Sequence, residues 1–230
     1  MDSNSIYINT LPKWQDYDFN NPKILKNCVI SVGINEWYPK GIDRLQNSLI
    51  HVKYSGYTIL SKELPEGADD HQTTPYHFKV MAFIEAFNQG FDNVLWLDAS
   101  VWCNKDPQPI FDIIQEQGYF LVHNPGHTTG QWCNDEALPL LNTTREEVDL
   151  MAHLSSGFIG LNSQSKEAAE LFQLWLKTDK QAYRGNWANH RHDQTILSVH
   201  SQHLGMVWNE PKGILDYDCK DDSIFYLKGM

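Results

Sequence analysis

The feature that most constrains this chain is a helix–strand–helix succession across its middle. From Tyr76 to Asn88 the apolar residues Tyr76, Val80, Phe83, Ile84 and Phe87 recur at helical spacing. Gly90 stands just past them, where glycine commonly closes a helix. The run Val94-Leu95-Trp96-Leu97 follows and meets a single acid, Asp98. An apolar run this short, bounded by polar residues, reads as a strand buried on both faces. Asp106-Pro107 then opens a second helix through Gln117, with Gly118 as its stop. Asp98 therefore sits at the carboxyl end of a central strand, where open α/β sheets carry their ligand crevice. Taken by itself, a turn-capping Asp fits the same place.

The rest of the chain repeats the alternation. Cys28 to Gly33 reads as a first strand ending in Gly, Ile42 to Tyr54 as helix-compatible, and Tyr57 to Leu60 as a second strand. Pro65 to Thr74 is a loop by composition. Tyr119 to His123 is the next strand, and Asn124 to Asn142, rich in Gly, Pro, Asn and His, reads as a long surface loop. Thr143 with Glu146 makes a capping-box pattern for a helix reaching about Leu154. Ser156 to Asn162 is a glycine-punctuated strand, and Lys166 to Lys177 is the clearest amphipathic helix. A last helix begins near Asp193, and the tail from Gly205 alternates strand-like and turn-like pieces. Residues 1–25 look like an irregular lead-in. No composition break divides the chain, so the expectation is one α/β domain over residues 1–230 with a mixed, mostly parallel sheet flanked by helices.

The formal charge of −11 argues against a nucleic-acid partner, which requires a basic footprint. It leaves room for a phosphate-bearing small molecule, which a few local donors can hold. The four cysteines, Cys28, Cys103, Cys133 and Cys219, form no CxxC pair, against a zinc ribbon or dithiol site. No stretch approaches the length of a membrane span, and the polar start lacks a signal-peptide pattern. The compartment expected from these features is the reducing cytoplasm.

Several segments together resemble a family. A helix opening Tyr76-His77-Phe78-Lys79 is followed by WLDAS (residues 96–100) at the end of a buried strand. SSGFIGLN (155–162) comes some sixty residues later, and then His192-Asp193-Gln194 at a helix start. This order resembles nucleotide-sugar glycosyltransferases of the GT-A fold, nearest in motif order to glycogenin-like and bacterial galactosyltransferase-like enzymes. The resemblance covers roughly Cys28 to Leu204. It implies a GT-A, Rossmann-like fold and a hexosyltransferase-type activity. The donor would be a UDP- or GDP-linked sugar, and the acceptor a glycan or a protein-borne glycan.

The resemblance also implies roles. Asp98 belongs where the family's Asp-x-Asp motif holds Mn²⁺ or Mg²⁺ on the donor diphosphate, a hard cation seeking oxygen ligands. The motif departs here, reading Asp98-Ala99-Ser100, so the second acid is a hydroxyl. Either one carboxylate serves a metal, or another acid such as Asp216 or Asp218 helps, or no metal is needed. Lys79 would face the crevice toward a phosphate or carboxylate, and Gly33 would let backbone approach the base or ribose. Ser156 and Gly157 would floor the donor sugar. Asp193 and Gln194 would contact the transferred sugar and carry catalysis, with His192 and His190 beside the acceptor. Each has a plainer role open to it: Lys79 as a helix lysine, Gly33 as a strand-end turn, Asp193 as an N-cap. Three other functions stay open: a silent sugar-binding module, a nucleotidyltransferase, or part of a larger enzyme. The loop GINEWYPKG (33–41) has few glycines for a triphosphate cradle, which weakens the nucleotidyltransferase.

Overall fold

The computed structural model describes residues 26–227. The proposed lead-in, residues 1–25, lies outside them. The main sheet is built from β1 (Asn27–Val32), β2 (Tyr57–Ser61), β3 (Asn93–Leu97), β5 (Tyr119–Thr128) and β6 (Ala152–Asn162) in the order β2-β1-β3-β6-β5. β1 pairs parallel with β2 and β3, whereas β6 runs antiparallel to both β3 and β5. Four of the five strands thus point one way, and the reversed β6 lies between two of them. A second sheet joins β4 (Val101–Cys103) to β8 (Phe225–Leu227) and β7 (Leu215–Asp216).

Alternation along the strands explains the layers. Cys28, Ile30, Val94, Trp96, Leu121 and Ile159 face one cluster, which takes in α2 (Phe78–Asn88), α6 (Lys166–Lys177) and α7 (Asp193–His203). Val29, Leu95, Leu97, Phe120 and Phe158 face the other, with α1 (Tyr38–His51), α3 (Gln108–Gln117) and the small sheet. Every residue of β3 is buried, as a strand covered on both faces requires. The expected mixed α/β sheet is the observed one. Gly90 and Gly118 follow their helices at φ +83° and +87°, the left-handed backbone that glycine accepts without penalty.

Four sequence expectations are corrected. α1 starts at Tyr38, with Pro39 in its first turn, and ends at His51 rather than Tyr54. The capping box is Thr144 with Glu147, one residue later than read, and α5 (Arg145–Leu150) ends well before Leu154. Met151 ends that helix in extended backbone, and β6 begins at Ala152. The segment 124–142 is less irregular than its composition suggests, since β5 runs on to Thr128 and a 3-10 turn (Thr129–Trp132) and α4 (Ala137–Leu140) follow.

Candidate active site

The chemistry gathers where β1 and β3 end and β6 passes them in reverse. Asp98, the first residue beyond β3, donates its backbone N–H to Gly157 O at 3.0 Å, which extends the β3–β6 ladder by one rung. Its carbonyl accepts from Val101 N–H at 2.9 Å and closes a turn. α1 braces that turn from behind. Arg44 donates to Ser100 O at 2.9 Å, and a Cβ on Gly41 would fall 2.4 Å from the carbonyl oxygen of Ala99. The Asp98 carboxylate is fixed in turn, because Oδ1 accepts the Trp96 indole N–H at 2.7 Å.

Lys79, in the first turn of α2, is 1% exposed, and its Nζ lies 3.1 Å from Asp98 Oδ1 and 2.9 Å from Asp193 Oδ2. It also donates to Ser156 O at 2.9 Å. Those three partners match the three donors of an ammonium. Burial works against its charge, but Asp193 first and then Asp98 outweigh that, so its pKa is raised and the ammonium persists. The rings of Trp96 and Tyr76 stand 5.1 and 5.4 Å from Nζ and add cation–π attraction. Asp193 opens α7 and is itself 2% exposed. Burial pushes its carboxyl up from the usual range, with Lys79 pulling the other way. Asp98 keeps 33% of its side chain accessible, so the pair has one sheltered and one open carboxylate.

This cluster forms the wall of a cavity of about 350 Å³. Lys79, Asp98, Ala99, Ser100, Ser156, Asp193 and Gln194 all line it, residues the sequence places up to 115 positions apart. Gly33, Gly157 and His192 lie outside that wall. A Cβ on Gly33 would meet Tyr38 O at 2.4 Å, so its missing side chain admits α1. A Cβ on Gly157 would meet Asp98 Oδ2 at 3.2 Å, so this glycine leaves room for the carboxylate. His192, at φ +47°, holds the turn into α7, with Nδ1 2.6 Å from Tyr183 O. His190 is buried against Ala182 O at 2.8 Å, and burial lowers its pKa to about 4, the signature of an interior histidine. Asp216 accepts backbone N–H groups from Asp218, Lys220 and Asp221, and Asp218 pairs with Lys220. Neither joins Asp98.

Other wall residues carry no signal in the sequence. Tyr76 reads as part of a helix face, yet its φ of +63° takes it out of the helix and its ring lines the cavity. His71 lies in a segment that reads only as loop. Its Nδ1 accepts Tyr76 N–H at 3.1 Å, which leaves the Nε2 position for the proton. Burial first, and then the neighbouring His192, lowers its pKa. Trp187, Tyr38 and Asn35 also line the cavity. No three His, Cys, Asp or Glu side chains converge as a metal site among the described residues. For a divalent cation, the turn offers Asp98 Oδ2 and the Ser100 hydroxyl, too few oxygens to fix it unaided. The described residues therefore do not complete a metal site by themselves.

No family model and no curated protein matches the chain. Solved structures do. A glycosyltransferase involved in the glycosylation of the major capsid of PBCV-1 is similar at TM-score 0.57 and 14% identity, over 88% of this chain and 93% of that one. The chain has a glycosyltransferase fold. WbbM, a bifunctional glycosyltransferase, is similar at TM-score 0.53 and 15% identity over 86% of this chain, which spans 41% of WbbM. Within this glycosyltransferase fold the Lys79–Asp98–Asp193 cluster sits beside the central strand's carboxyl end, and no helix among the described residues is long and apolar enough to cross a membrane.

Proposed function

We propose that this protein is a glycosyltransferase. It would move a hexose from a UDP- or GDP-linked donor to a hydroxyl of a glycan or a protein-borne glycan. One observation carries the reading: a buried ammonium locked between two carboxylates, one open and one sheltered, on the wall of a cavity at the sheet's carboxyl edge. A structural ion pair has no need of a cavity, and ligand crevices of α/β sheets lie at this edge.

The roles follow from position. The turn Asp98-Ala99-Ser100 would face the diphosphate, with Asn35, Tyr38, Ser100 and the neutral His71 as uncharged donors to its oxygens. Asp193 and Gln194 would take the hydroxyls of the donor sugar, the sheltered carboxylate accepting and the amide doing both. Lys79 is the positioning residue, since its donors go to the protein and it sets both carboxylates in place. No step here passes through a metal.

Thermal stabilisation by a panel of nucleotides and nucleotide sugars tests the proposal, because a ligand bound only to the native state raises Tm by mass action. One nucleoside diphosphate and its sugar should stand out. Asp98→Ala should lose most of the shift. A flat response across the panel would remove the transferase reading.

A further inference from the structure

Next to the crevice lies an arginine whose surroundings the mechanism above does not use. The Arg191 guanidinium stands 4.0 Å from the ring centroid of Trp132 and 4.0 Å from that of Trp187. Two indoles at that distance take up stacking contacts with the guanidinium, and its in-plane N–H edges are what it has left to offer. Among the described residues no carboxylate lies within ion-pair distance of the Arg191 side chain and no group accepts a hydrogen bond from it. A half-buried guanidinium without an anion is uncommon, since charge taken from water is ordinarily paired.

The stack is built rather than incidental. Arg191 N–H donates to Trp132 O at 3.0 Å, and Thr195 Oγ1 donates to the same carbonyl at 2.6 Å. On the other side Arg145 donates to Gly130 O and Cys133 O, which fixes the loop presenting Trp132. Trp187 is 47% exposed, lines the cavity, and lies 5.9 Å from the Tyr76 ring. The guanidinium is thus joined to the crevice through one indole, two residues before Asp193.

We infer that the Trp132–Arg191–Trp187 stack is the acceptor subsite and that it takes a sugar bearing a carboxylate. A planar carboxylate matches the in-plane donors of a guanidinium two by two, and the exposed indole offers apolar surface beside it. The word acceptor rests on the transferase reading; the acid preference rests on the stack.

The test compares methyl β-glucuronide with its uncharged amide by calorimetric titration of the whole chain saturated with the nucleotide from the panel. The glucuronide should bind roughly tenfold tighter or more, the order of a charge-assisted hydrogen bond. Arg191→Gln should erase the preference, and Arg191→Lys, with a charge but no fork, should keep only part of it. Equal binding of acid and amide to the unaltered protein overturns the inference whether or not the variants fold. Inorganic phosphate that displaces the glucuronide at equal affinity also overturns it, since the site would then read an oxyanion without a sugar. Nucleotide binding with no acid preference sinks this inference alone. Acid preference with no nucleotide response sinks the transferase reading and the acceptor role with it.

Discussion

Lys79 shows what one residue can settle. A lysine this buried keeps its charge because Asp193 and Asp98 outweigh desolvation. Removing it leaves Asp193 buried with no counter-charge, the costly way to break such a pair. Lys79→Met is expected to lower unfolding free energy by ~3–5 kcal/mol at pH 7.5, read from urea denaturation. The deficit should shrink as pH falls, because protonating the stranded carboxyl removes the unpaired charge. In the unaltered protein the folded pKa of Lys79 lies above its unfolded value. Its contribution is therefore complete below about pH 10.5 and is lost only at higher pH. An equal deficit at pH 5 and pH 7.5 would show that the pair is not the source.

Single elements place the site. α1 touches the crevice mainly through Tyr38, but Gly41 and Arg44 hold the turn that presents Asp98. Alanine is favoured over glycine inside helices by about 1 kcal/mol. At position 41 the sign should reverse, because the added Cβ meets a backbone oxygen that cannot move without moving the turn. Gly41→Ala is expected to cost ~1–3 kcal/mol and to weaken nucleotide stabilisation; a more stable, fully responsive variant would refute the bracing role. Element boundaries also show what sequence can and cannot resolve. Helices α2 and α3 were legible because periodicity and a closing glycine agree. The start of α5 was not, because Thr143-Thr144-Arg145-Glu146-Glu147 offers two capping registers, and only the folded chain selects Thr144. The segment 152–154 is read from the sequence as the end of that helix, and pairing with β5 decides for strand.

Across the whole molecule, burial of histidines sets the acid limit. His200 and His190 are lowered to about 4 and His153 to about 3, each chiefly by desolvation. Their folded pKa values lie below the unfolded value near 6.5, so below that pH the unfolded chain binds more protons. Stability should be intact above pH 6.5 and fall steadily toward pH 4. Urea midpoints at pH 7.5 and 5.0 measure this, and a midpoint unchanged at pH 5.0 would count against these histidines being interior. The site itself was legible only in part. Asp98 stands out locally, at the end of an apolar run. Lys79, Asp193 and Gln194 stood out only through the order of motifs, because the sheet brings them together over long separations. Tyr76, His71 and the Arg191 stack depend on turns and positive φ angles that no spacing rule reports.

The central claim is that the cavity beside Asp98 takes the diphosphate of a nucleotide sugar. A crystal structure with the intact donor tests it most directly. The diphosphate should lie against the Asp98–Ser100 turn, with the sugar hydroxyls on Asp193 and Gln194. Phosphates bound away from that turn, with the cavity empty of donor, would contradict it.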